Sequence, residues 1–400
     1  MAKTKEKKGV LYPQGFMAAS INCGIKESKN DLTLLVCPTG ATVAGTFTKN
    51  LCCAAPVELC KEHLKGGVCR AIIVNSGNAN AATGERGYED ALATACKLSE
   101  TLGCPANEVF VSSTGCIGKF LPLDKILSGI PKIVLSLEDS AAAEEAAAQG
   151  ILTTDLVKKQ SKREVALSKD KVRIGGMCKG SGMIAPNMAT MLAYITTDAI
   201  VSQDILQELF SKAVKASFNH VSVDGDTSTN DSAFLLASGA SSVPVKTKKD
   251  QAAFYKALEE VCIELAKDIA RDGEGATKFV EVTVEGAKSD SDAEVIAKTI
   301  ANSPLVKTSI CGGDPNWGRI LAAAGRAGIP YDQYGVDLYM GDLIAAKGGM
   351  NAGTPREKLA KVYRQKEVKV RLVIGKGKGS FTAWTCDMTH GYIDINVDYT

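Results

Sequence analysis

The chain has 400 residues, 45% of them hydrophobic and 23% charged, with a formal net charge of +2. That length and balance fit a globular protein with a sizeable buried core, and near-neutrality with no long basic or acidic block excludes an electrostatic case for nucleic-acid or membrane partners. No run approaches the roughly 18 apolar residues of a membrane span. The basic stretch Met1–Gly9 has no apolar segment behind it to make a secretory signal, so the expected location is the cytoplasm.

Strand and helix signals alternate along the chain. Ala71–Val74 is a continuous apolar run ending at Asn75-Ser76-Gly77, the signature of a buried strand entering a turn. Tyr88–Leu102 is expected as a helix with Leu92, Ala95, Cys96 and Leu102 inward and Gly103 as its stop. Val109–Val111 is the next strand and runs into Ser112-Ser113-Thr114-Gly115; Glu138–Gln149 is Ala-rich and charged, a good helix former ended by Gly150. Met191–Ile195 reads as a buried strand, and Asp204–Phe218 as a helix burying Leu206, Leu209, Phe210, Ala213 and Val214. A longer helix from about Asp250 to Ala270 places Phe254, Leu258, Val261, Leu265 and Ile269 at helical spacing. The polar run Gly286–Asp292 is a plausible joint, dividing a main unit over residues 1–285 from a smaller one over 286–400. Beyond it, Val368–Ile374 alternates as a half-buried strand does, and Phe381–Cys386 and Tyr392–Tyr399 are further strand candidates. The class is α/β or α+β.

Several chemistries find little support. The thirteen cysteines are odd in number, include no Cys-x-x-Cys pair and often lie in apolar runs, so free, mostly buried thiols are expected. Only His63, His220 and His390 could join them as ligands, and no metal site is expected. Gly375–Ser380 and Gly115-Cys116-Ile117-Gly118-Lys119 have phosphate-loop composition without phosphate-loop spacing, so no nucleotide cofactor is expected. A Gly-x-Ser-x-Gly nucleophile elbow is absent, and His220 reads as a structural histidine rather than a base.

Lys179–Asp198 is the informative stretch. A glycine-flexed loop carries Lys179, and a turn through Pro186-Asn187-Met188-Ala189 leads to Thr190 at the mouth of a strand. Local chemistry leaves two readings: an ordinary β-branched residue in a strand, or a nucleophile whose base is its own α-amine, freed by chain cleavage.

This stretch resembles the self-cleavage segment of the ornithine acetyltransferase (glutamate N-acetyltransferase) family. Further blocks resemble that family in order: Asn75–Ala81, Ser112–Gly118, Asp224–Asp231, Arg271–Lys278 and Gly312–Arg319, within a span from Pro13-Gln14-Gly15-Phe16 to the C-terminus. The resemblance implies a layered sandwich of mixed sheets flanked by helices, of the type shared with self-processing aminopeptidases, with a smaller C-terminal α/β domain. It implies a cut between Ala189 and Thr190, with Thr190 as nucleophile and Thr114 and Gly115 as oxyanion donors. Thr153, Lys179, Thr190, Glu274, Asn396 and Thr400 are the implied substrate contacts, with Thr154 competing with Thr153 for its role. The tail departs from the family pattern, being one residue short before Thr400. The acidic block Asp224–Asp231 is expected to support the site without a catalytic role. The implied reaction carries acetyl from N-acetylornithine to glutamate in arginine biosynthesis, with acetyl-CoA as an additional donor and no cofactor. The implied assembly is a heterotetramer of two copies of each fragment. Competing readings are a self-processed aminopeptidase or amidase, and a catalytically inactive relative retaining the fold.

Overall fold

The computed structural model describes residues 6–185 and 191–397. Ala189, Thr190 and Thr400 lie outside the described residues. Among those described, fourteen strands form two mixed sheets. The first contains β1 (Met17–Ile21), β2 (Leu32–Phe47), β3 (Val68–Asn78), β4 (Val109–Cys116), β5 (Lys159–Ala166), β6 (Lys171–Lys179), β7 (Leu192–Thr197) and β8 (Ser232–Ala237). Its order is β4-β3-β2-β8-β7-β6-β5, with β1 paired to β2; the pairs β3–β4 and β7–β8 are parallel and the other pairs antiparallel. The second sheet contains β9 (Phe279–Ala287), β10 (Asp337–Met340), β11 (Leu343–Lys347), β12 (Met350–Asn351), β13 (Glu367–Val373) and β14 (Gly379–Cys386), in the order β12-β11-β10-β13-β9-β14.

The helices are α1 (Ala55–Leu64), α2 (Gly84–Leu102), α3 (Leu123–Leu135), α4 (Ala141–Gly150), α5 (Gln203–Lys215), α6 (Lys248–Arg271), α7 (Asp290–Ala301), α8 (Pro304–Cys311), α9 (Trp317–Gly325), α10 (Arg356–Tyr363) and α11 (His390–Val397). They explain the continuous apolar strands of the sequence. In β7 and β8, Ala193, Ile195, Ala233 and Leu235 pack with residues of α5 and α6, while Tyr194, Phe234 and Leu236 enter a second cluster with Val10, Phe16 and Ala147. In β3, Ile72 and Val74 join that second cluster, whereas Ala71 and Ile73 meet α2 and α3. Both faces are covered, so hydrophobicity runs on where a half-exposed strand would alternate. Helix α6 buries Phe254, Leu258, Val261, Leu265 and Ile269 along one stripe; truncating Leu258, Leu265 or Ile269 to alanine would cost about 2–5 kcal/mol.

Three local expectations change. The inward face of α2 is Ala91, Thr94, Ala95 and Leu98, while Leu92 is exposed; a stripe of small side chains lets the helix lie close to its neighbours. The polar run 286–292 is divided between the end of β9 and the first turn of α7, where the Ser289 side chain accepts from Asp292 N–H as an N-cap. Residues 279–285 are thereby part of the second sheet. Residues 392–397, expected as a strand, are helical in α11. Among the described residues their alternating β-branched pattern has no partner strand. Instead Thr389 Oγ1 accepts from Gly391 N–H at 3.0 Å and donates to the Gly275 carbonyl at 2.7 Å, starting a helix docked on Gly275.

The thirteen cysteines are all free; six are buried, six half-buried, and Cys52 is exposed, so fewer are fully buried than the sequence pattern implies. His220 donates from Nδ1 to the Thr382 carbonyl at 2.5 Å and stacks on Phe381 at 4.1 Å, a packed structural histidine as expected. No described helix is long and apolar enough to cross a membrane.

Candidate active site

At the C-terminal ends of the parallel strands β3 and β4 the chain turns sharply, with Ser76 opposite Thr114 and Gly77 opposite Gly115. Gly115 has φ +135°, and a Cβ placed there would stand 2.3 Å from the Gly77 carbonyl carbon. Only glycine lets these two turns touch while keeping a backbone N–H at the mouth of the strand. Side chains lock the arrangement: Ser113 Oγ donates to Asn75 Oδ1 at 2.6 Å, and Asn230 Nδ2 donates to the carbonyls of Ala79 (2.6 Å) and Ser113 (2.9 Å). The motifs around Asn75, Ser113 and Asn230 thus interlock at one place.

A cavity of about 100 Å³ opens beside this turn. It is lined by Thr114, Gly115, Thr153, Thr154, Lys179, Glu274 and Asn396, with Asn230 among its other walls. Every described residue that the sequence nominated therefore converges on a single cavity, and both threonines of the 153–154 pair reach it. Met191, the residue after Thr190, adjoins a smaller recess shared with Thr114, Lys179, Asn230 and Asp231.

Each contributor is held by its own element. Lys179, expected on a loop, is the last residue of β6 and pairs with Leu192 of β7. Its buried Nζ donates to Thr114 Oγ1 at 3.3 Å and lies 3.8 Å from Asp155 Oδ2. Glu274 follows α6, donates its N–H to the Ser181 carbonyl at 2.9 Å, and accepts from Asn396 Nδ2 of α11 at 2.8 Å. Gly182 leaves room for that carboxylate, since a Cβ there would sit 2.1 Å from Glu274 Oε2. Thr153 N–H donates to Asp155 Oδ2 at 3.2 Å.

The electrostatics are those of buried, mutually compensated charge. Burial would raise the Asp155 carboxyl, but the ammonium groups of Lys179 and Lys159 outweigh it and hold Asp155 at about 2. Burial pushes the Lys179 amine down, and the Asp155 carboxylate opposes that push most strongly. Asp231 is wholly buried and pushed well above the ordinary carboxylate range by desolvation; its Oδ1 accepts from Met191 N–H at 2.9 Å.

The acidic block Asp224–Asp231 acts as scaffold, as expected: Asp224 accepts from the N–H groups of Met183 (2.6 Å) and Ile184 (2.9 Å). In the sequence Asn230 is legible only as part of the supporting block Asp224–Asp231, and Asp155 carries no functional motif. The only local signal for Asp155 was its i, i+4 spacing to Lys159, an unremarkable pairing without the fold.

Comparison with known proteins adds a second line. The ArgJ family model matches residues 17–400. This chain belongs to the ArgJ family. The arginine biosynthesis bifunctional protein ArgJ of Chlorobaculum tepidum is 48% identical over 392 residues, covering 98% of this chain and 96% of that protein. The protein of the same description from a Synechococcus species is 46% identical over 405 residues, covering 98% and 97%. A solved chain of the arginine biosynthesis bifunctional protein ArgJ of Bacillus halodurans superposes with a TM-score of 0.50 at 42% identity, covering 52% of this chain and 98% of that one. Both curated relatives are matched along nearly their whole length, and Asn75, Thr114, Lys179, Asp231 and Glu274 all lie inside the span 17–400 of the family match.

Proposed function

We propose that this ArgJ-family chain cuts itself between Ala189 and Thr190 and then carries acetyl from N-acetylornithine to glutamate on Thr190. The observation that carries the reading is the convergence of Thr114, Gly115, Thr153, Lys179, Glu274 and Asn396 on one cavity adjoined by Met191. Membership of the family makes the chain an acetyltransferase of arginine biosynthesis. In processing, Thr190 Oγ attacks the Ala189 carbonyl, the peptide nitrogen leaves as the new α-amine, and water hydrolyses the ester. The fragments are residues 1–189 and 190–400.

In turnover the α-amine, with an unperturbed pKa of roughly 7.7–8.0, takes the Thr190 hydroxyl proton as Oγ bonds to the acetyl carbonyl carbon. Negative charge collects on the carbonyl oxygen, to which the Thr114 hydroxyl and the Gly115 N–H donate. The C–N bond breaks, the departing amine regains the proton, and ornithine leaves an acetyl ester. Glutamate's amine then attacks the ester in the reverse sense and departs as N-acetylglutamate. Lys179 suits the substrate α-carboxylate and Glu274 an amino group; Thr153 and Asn396 complete the walls, and Thr400 is assigned to the substrate by the family pattern alone. The description of the relatives as bifunctional supports acetyl-CoA as a second acetyl donor. The fragments pair and assemble as a heterotetramer in the cytoplasm.

The test is direct. Purified protein should run as two bands on a denaturing gel, Thr190→Ala should run as one, and ornithine release from N-acetylornithine should require glutamate. A single band from the parent would sink the mechanism. Glutamate-independent release would instead mark an amidase.

A further inference from the structure

Beneath the cavity lies a set of four buried charges that the mechanism above does not use in full. Asp155 and Lys159 have no exposed side-chain surface, and those of Asp272 and Lys179 are only 4% and 5% exposed. Asp155 Oδ1 accepts from Lys159 Nζ at 2.7 Å and from Gly180 N–H at 2.7 Å, while Oδ2 faces Thr153 N–H and Lys179 Nζ. Lys159 Nζ continues to Asp272 Oδ2 at 2.6 Å, and that carboxylate accepts from the N–H groups of Leu156 and Val157. The Asp272 carbonyl accepts from Ser181 Oγ at 2.6 Å, and the Ser181 carbonyl holds Glu274 N–H. The segments that present Thr153, Lys179 and Glu274 are therefore tied through Asp155 and its partner charges.

The contact between Lys179 and Thr114 has a directional consequence. A threonine hydroxyl has one proton and two lone pairs, and an ammonium can only donate. With Lys179 donating to Oγ1, the Thr114 proton is left for another acceptor. A positive charge on the oxygen side also strengthens that O–H as a donor. Both effects need Lys179 to be charged, and burial works against its charge. The groups bearing on it are Asp155, Glu274 and Asp231 on the acidic side, with Lys159 and Lys26 on the basic side. Burial disfavours the charged form of Asp231, and Glu274 is engaged by Asn396. Asp155 remains as the principal counter-charge.

We propose that Asp155 is a positioning residue of the acetyl-transfer site: its buried carboxylate holds the Lys179 ammonium against Thr114 Oγ1, so that the Thr114 hydroxyl points its proton at the developing oxyanion. The proposal rests on the oxyanion role assigned to Thr114 above. Asp155 itself touches no substrate; it acts through Lys179 and through the backbone of Thr153 and Gly180.

Asp155→Asn keeps the shape and an acceptor but removes the charge. Two readouts on the processed enzyme test it. In acetyl transfer from N-acetylornithine to glutamate, kcat should fall on the order of tenfold or more, and the alkaline limb of its pH profile should move down by about one unit or more. Independently of activity, the Lys179 amine, followed by lysine Cε NMR and assigned by its loss in Lys179→Arg, should titrate at lower pH in the variant. The double variant Asp155→Asn/Lys159→Met provides a charge-balanced comparison: kcat should stay below the parent's and Lys179 should still titrate below its parent value, but by less than in Asp155→Asn, because the Lys159 charge that also lowers it is gone. An unchanged Lys179 titration, or an unchanged alkaline limb in a folded variant, overturns the proposal. A parent enzyme that transfers no acetyl would overturn the functional reading instead, and the NMR comparison would still report whether Asp155 holds Lys179 charged.

Discussion

Thr114 and Gly115 divide the work of one turn between a side chain and a backbone group. Thr114→Val keeps the β-branched shape that fits the end of β4 and removes only the hydroxyl. Steady-state kinetics of the processed enzyme should show kcat lower by roughly 100- to 1,000-fold, the loss typical of one oxyanion donor, with KM little altered. A loss under tenfold would mean that Thr114 is not a donor. This pair was readable as a strand-ending turn because the apolar run Val109–Val111 stops abruptly at Ser-Ser-Thr-Gly. Asp155 was not readable. A carboxylate in Leu152-Thr153-Thr154-Asp155 looks like any surface aspartate, and its weight comes from Lys179 and Asp272, which other elements bring to it.

The same contrast holds for whole elements. Helices α5 and α6 follow from their stripes because 3.6-residue periodicity is a property of neighbours in the chain. The segment at 392–397 has strand-like alternation but forms α11, whose start is held by Thr389 against Gly275. That helix brings Asn396 to Glu274, and Gly182 gives the carboxylate its space. In Gly182→Ala the new methyl must displace the Glu274 carboxylate, the free end of a side chain, so the fold should persist. KM for N-acetylornithine should rise roughly tenfold, equivalent to about 1.4 kcal/mol of binding, with kcat nearly unchanged. An unchanged KM would remove Glu274 from the recognition of the substrate amino group.

Across the whole molecule, buried carboxyls of opposite behaviour set the response of stability to pH. Asp231 has a folded pKa raised by burial, so its favourable contribution is complete below its unfolded value near 3.9 and is lost as pH rises through the folded value. Asp155 is depressed, so its contribution is present above about 3.9 and fades only as pH falls towards 2. Asp231→Asn keeps an acceptor for Met191 N–H and cannot ionise. Its Tm relative to the parent should therefore climb between pH 5 and pH 8, in thermal melts of the two proteins side by side. A difference independent of pH over that range would show that Asp231 ionises as readily folded as unfolded.

The sequence by itself determined the mixed α/β class, the helices with clear stripes, the strands buried on both faces and the ordered blocks that mark the family. These are local patterns or matches along the chain, and they survive without knowledge of which segments meet. Only the tertiary structure decided that Thr114, Lys179, Glu274 and Asn396 share one cavity. It alone decided that Asp155, Lys159, Asp272 and Lys179 balance one another beneath it. The physical reason is that charge compensation and cavity shape depend on distances through space, and in this chain those distances are closed by β3–β4 pairing, β6–β7 pairing and the docking of α11. Linear order records none of them.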